Sequence, residues 1–144
     1  MMAETLGLLI DKLIIVKLKQ YHTEDIKKLE SLKKQEGNLI VEINAFVFAA
    51  VERKIPYNSL SSPSNKVYNF EENIEAIQGS NGWLISELAL VNCELWHEQE
   101  TIYQFELVAP ELKDGVIRRL AKLNILRTQY IDLLDKQFQE MIKQ

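Results

Sequence analysis

The chain has 144 residues, a single-domain length that is enough to bury a real core. Its 5 Gly and 3 Pro are too few for the many turns of a sandwich or barrel, and helix-forming residues dominate. The net charge is −4, and Lys and Arg alternate with acids. That argues against binding nucleic acid through its phosphates, and the single Cys93 excludes an internal disulfide framework and a Cys-based zinc site.

The first predicted element runs from about Glu4 to Glu36. Leu6, Leu9, Ile10 and Leu13 share one face at 100° per residue, and Leu18, Tyr21, Leu29 and Leu32 continue it with a displacement. The displaced stripe means that the element either kinks or curves, or breaks near His22-Thr23, where Thr23 followed by Glu24 and Asp25 has the form of an N-cap; one long helix is the favoured reading. Gly37-Asn38 is read as its end. The start, Met-Met-Ala-Glu, has no basic region, and charges interrupt the apolar run from Leu8 to Leu18. Neither a signal peptide nor a membrane span is expected there.

A second helix is predicted over about Leu39 to Lys54, with Leu39, Ile40, Ile43, Phe46, Val47, Ala50 and Val51 apolar at helical spacing. A loop follows around Ser59–Asn65. Asn69-Phe70-Glu71-Glu72 then has the form of a capping box, opening a short helix to Gln78 that Gly79 closes. The third long helix is predicted over about Trp83 to Leu107, with a stripe of Leu84, Leu88, Val91, Leu95, Ile102 and Phe105. After Pro110 a fourth runs over about Glu111 to Ile142, with Val116, Leu120, Leu123, Tyr130, Leu134, Phe138 and Met141. The expected fold is all-α and four-helix-bundle-like: one domain over residues 1–144, a long first helix, and a long loop with a short helix between the second and third long helices.

The residues that could carry chemistry are polar ones in or beside the apolar stripes. Arg127 sits four after Leu123 and three before Tyr130, with Asn124 one helical neighbour away. A guanidinium there needs a carboxylate or phosphate partner. Glu87, Glu94 and Glu98 line one edge of the third stripe, so Arg127 is expected to pair with Glu98 and Glu94, with His97 at the rim of that network. Glu94 and His97 form a Glu-x-x-His pair, the spacing of carboxylate-bridged di-iron bundles, but only one such pair is present. His22 and Asp25 on the first segment, with Glu94, His97 and Glu98, are candidates for holding a single divalent metal ion, although no cofactor is predicted. Trp96 leans away from the stripe toward a second interface or groove, and Cys93 lies off it with no histidine in reach.

Two blocks also carry a family resemblance. Leu95-Trp96-His97-Glu98-Gln99-Glu100, preceded by Asn92, resembles a Leu-Trp-His box followed by two acids in a bacterial domain family of unknown function (number 4254). Arg118-Arg119-Leu120-Ala121-Lys122-Leu123-Asn124-Ile125-Leu126-Arg127 resembles that family's Leu-Asn-x-x-Arg block. Tyr130-Ile131-Asp132-Leu133-Leu134-Asp135 matches its ending, and Tyr21-His22 its early Tyr-His. Gln99 stands where the family's first acid falls. The resemblance implies an all-helical bacterial protein and supplies no reaction.

Two functions are expected from this. The first is a binding or interaction module with an internal Arg-Glu-His network, a protein partner or self-association as a homodimer, no nucleic acid and no membrane span, in the cytoplasm. The alternative is a small-ligand or metal-dependent enzyme whose pocket is formed by His22, Glu94, His97, Glu98, Asn124 and Arg127.

Overall fold

Thr5 starts the first helix. Its backbone is extended, and its hydroxyl accepts from the Leu8 N–H at 3.4 Å, supplying a partner that the first turn of a helix lacks. The computed structural model describes residues 4–61 and 77–142, and four α-helices carry the fold there: α1 (Leu6–His22), α2 (Ile26–Val51), α3 (Asn81–Tyr103) and α4 (Pro110–Ile142). Single 3-10 turns occur at Tyr57–Ser59 and Phe105–Leu107, and there is no strand among the described residues. The fold is all-α and bundle-like, built of helix pairs packed against one another. The capping box at Asn69 lies outside the described residues. The four residues before α3, Ile77 to Ser80, are irregular.

The expected long first helix is corrected. α1 stops at His22, with Thr23 extended as its C-cap, so Thr23 is not an N-cap. The N-cap of α2 is Asp25, whose Oδ1 accepts from the N–H groups of Lys27 at 2.9 Å and Lys28 at 3.3 Å. α2 then runs straight through Gly37-Asn38. A mid-helix glycine costs about 1 kcal/mol. Leu39, Phe46 and Ala50 on the same helix are buried, and each large apolar side chain so buried contributes about 1.5–3 kcal/mol. The helix therefore continues past its glycine. At the far end, Arg53 takes a left-handed φ of 60°. Arg53 N–H bonds to Ala50 O and Lys54 N–H to Ala49 O, closing α2 with a Schellman pattern.

The chain divides into two compact units: Met1–Pro63 with Ile131–Gln144, and Ser64–Tyr130. In the first unit α1 and α2 pack as a hairpin. Lys17 Nζ and Gln20 Nε2 on α1 clasp Glu36 of α2 at 2.8 and 3.2 Å, and the bonds from Lys17 and then Gln20 hold the Glu36 carboxyl below its usual range. The core joins Leu9 and Val16 of α1, Leu32, Leu39, Phe46 and Ala50 of α2, Ile55 and Leu60 beyond it, and Phe138 of α4. The Phe46 and Phe138 ring centroids lie 6.2 Å apart.

In the second unit Ser80 caps α3, its hydroxyl accepting from Trp83 N–H at 3.2 Å, and Pro110 is the first residue of α4, where its missing N–H costs nothing. Leu84, Leu88, Val91 and Leu95 of α3 are buried as the stripe predicts, as are Val116, Leu123 and Tyr130 of α4. The stripes overreach at their ends. Tyr21, Met141 and Val51 are exposed, because each lies within the last two residues of its helix. Ile40 is exposed too, on the flank of α2 away from its buried Leu39.

Candidate functional site

In the second unit, two contacts set how α3 meets the first part of α4. Near one end Trp83 packs edge-on to Tyr130, with centroids 6.2 Å apart. Near the other, Arg119 Nε donates to Glu98 Oε1 at 3.0 Å. The helices therefore run antiparallel, and this register brings Arg127 level with the turn around Glu87 and leaves it away from Glu98. The expected Arg127–Glu98 pair is corrected on this ground: α4 supplies Arg119 to Glu98, about two turns nearer the α3–α4 connection. The side chain of Glu98 is 13% exposed and that of Arg119 58%, so the pair sits at a half-covered edge.

Glu94 is exposed, yet it and Glu87 act on α4 through their charge. Burial, then Glu87, then Glu94 push the Tyr130 phenol above its ordinary value. Of the three carboxylates on this edge of α3, Glu98 is the one bonded to α4, and its partner is Arg119. Asn124 is half-buried, and its Nδ2 donates to Leu120 O at 3.1 Å, one turn back on its own helix. Thr128 Oγ1 in turn donates to Asn124 O. Asn92, buried on α3, does the same to Leu88 O at 3.1 Å. These back-bonds satisfy buried amides within a helix. His97 is exposed, as its place away from the stripe implies, and Trp96 and Arg127 are half-buried.

The two remaining candidates belong to the first unit. His22 ends α1, exposed, with the Tyr21 ring edge-on at 5.2 Å. Asp25 spends Oδ1 on capping α2, which gives it a structural task that the metal reading did not anticipate. Among the described residues no group of three or more His, Cys, Asp or Glu side chains is gathered to hold a metal ion.

Sequence reasoning passed over the most deeply buried carboxylates. Asp135 is 1% exposed and Asp11 2%. Asp135 reaches from α4 to the start of α1. Thr5 Oγ1 donates to its Oδ2 at 2.5 Å and Gly7 N–H to its Oδ1 at 2.7 Å. A carboxylate at a helix N-terminus is stabilised by the unpaired N–H groups there. Burial outweighs these bonds and pushes the Asp135 carboxyl up to about 6, with Asp132 adding to the rise. Gly7 permits the approach, because a Cβ there would lie 2.8 Å from Ile131 O and 2.9 Å from Asp135 Oδ1. A signal was present in the sequence: Asp135 stands four after the apolar Ile131 and three before Phe138 of the stripe, a spacing like the one that singled out Arg127.

No family model matches the chain, and neither a curated protein nor a solved structure matches it.

Proposed function

We propose that this protein is a binding and interaction module whose outer α2 face receives a protein partner. One observation carries the reading. From Leu39 to Val51 every residue of α2 is apolar except Glu42 and Asn44. A helix apolar on all sides is normally covered on all sides. Here the chain covers one side only: Phe46 is 2% exposed, while Val41 is 66%, Phe48 60% and Val51 60% exposed. Several large apolar side chains exposed on one helix in this way mark a contact surface.

The acidic net charge favours a protein over nucleic acid as the partner. Among the described residues no helix is long and apolar enough to cross a membrane. The Leu-Trp-His box and the Leu-Asn-x-x-Arg block support kinship with family 4254 and hence a bacterial source, and the lone Cys93 fits the cytoplasm. In this reading the Glu98–Arg119 bridge and the Trp83–Tyr130 contact hold α3 and α4 in register. The test is affinity capture with the intact chain and with a Val41→Glu/Phe48→Glu variant, after circular dichroism has shown equal helix content. A partner held by the parent and lost by the variant is the expected result. A partner held equally by both contradicts the reading.

A further inference from the structure

The exposed face of α2 has a register. Gly37, Val41, Asn44, Phe48 and Val51 follow one another at alternating spacings of four and three, the repeat that keeps a seam facing a partner helix. All five are exposed, and Lys34 extends the row toward the helix start. Around Gly37 there is open space: nothing lies within 4 Å of where a Cβ would be. The row therefore carries one large knob, Phe48, and one hole, Gly37, on the same face. Phe48 is held from one side by Lys54, whose Nζ lies 5.8 Å from the ring centroid.

We propose that the partner of this face is a second copy of the chain, with the two α2 helices antiparallel about a two-fold axis between Val41 and Asn44. This rests on the reading of the face as a protein-binding surface. When the row is reversed on itself, Phe48 of each copy meets Gly37 of the other, Val41 meets Asn44, and Val51 meets the stem of Lys34. Each pairing is made twice, as an isologous interface requires. A parallel pair would set Phe48 on Phe48 and leave a gap between the two Gly37 residues. It would also stack Lys33 and Lys34 on their own copies, whereas the antiparallel pair brings Glu52 level with Lys33. Asn44 lies about 4.5 Å along the axis from its own copy, at 1.5 Å per residue, close enough for the two amides to meet. The contact runs from Lys34 to Val51, about 27 Å of helix. One helix pair of that length buries less than the roughly 800 Å² per partner of a standard interface. The dimer is accordingly weak, with a Kd of about micromolar or above.

The experiment uses the full chain with Cys93→Ser. Sedimentation across the micromolar range gives the association constant, and spin labels on Glu42→Cys and on Gln35→Cys give the orientation. These two positions are one heptad apart and both exposed. In the antiparallel pair the Glu42 labels lie nearly level, while the Gln35 labels stand about 20 Å further apart along the axis. Phe48→Glu and Gly37→Leu each weaken association at least tenfold, the second while leaving the monomer helical. Equal label distances at both positions overturn the antiparallel arrangement. A monomer at every concentration overturns self-pairing, as does a dimer that neither variant weakens. A monomer that still captures another protein through Phe48 overturns self-pairing alone and leaves the interaction reading standing. If neither self-association nor Phe48-dependent capture occurs, both fall.

Discussion

Asp135 is a carboxyl group with two hydrogen-bond donors against it and almost no solvent, and its place fixes the sign of a pH effect. Its folded-state pKa is raised from 3.8 to about 6, so the folded protein binds the proton more tightly than the unfolded chain. The stability linked to that proton is fully present below about 3.8 and is lost as pH rises through about 6. Over this window the wild type should therefore gain stability relative to Asp135→Asn as pH falls from 7 to 4. The gain should be up to about 3 kcal/mol, read from urea midpoints of both proteins at each pH. A relative loss on acidification would mean that the Thr5 and Gly7 bonds and the helix terminus outweigh burial. Gly7→Ala, which pushes a methyl group against the Ile131 carbonyl, should cost about 1–3 kcal/mol in the same assay. Asp135 occupies a core position by spacing, yet only the fold shows that its neighbours across the contact are a hydroxyl and a glycine N–H.

At the scale of helices, the third and fourth elements were the most legible. Their stripes are long and uninterrupted, so the buried leucines of α3 and most of the α4 stripe follow directly from spacing. The first two were misdivided because two breaker signals competed. Gly37-Asn38 is the stronger local signal, but the burial of Leu32, Leu39 and Phe46 along one helix overrides it, and the capping bonds of Asp25 decide the earlier break. The end of α2 carries a residue ill suited to its conformation. Arg53 holds a left-handed backbone that glycine adopts without strain, so Arg53→Gly should raise stability by about 1 kcal/mol in thermal or urea unfolding. The Arg119–Glu98 bridge explains the register of α3 and α4 better than their stability. Arg119 is mostly exposed, so Arg119→Ala should cost no more than about 1 kcal/mol, whereas Leu88→Ala, at a site with no exposure, should cost about 2–5 kcal/mol. Equal losses would make the polar edge a principal source of stability.

For the molecule as a whole, helical content and pattern were readable from sequence because few breakers compete with long stripes. The candidate site was only partly readable. Spacing along one helix says which side chains share a face, but which residue on another helix they meet depends on register, and register is set by the connection and by bulky contacts such as Trp83 on Tyr130. That is why Glu98 was rightly placed toward α4 and yet given the wrong arginine. The partly uncovered α2 stretch was also present in the sequence, as Ile40, Val41, Phe48 and Val51, but spacing cannot tell a second buried face from one left to solvent. The central claim is that this uncovered face is where the protein makes contact. Placing the photoreactive residue benzoylphenylalanine at Phe48, and separately at exposed Lys19 as a control, tests it most directly. Irradiation in the cell should give a discrete covalent adduct from position 48 and none from position 19. No adduct at position 48, or the same adducts from both positions, would contradict the account.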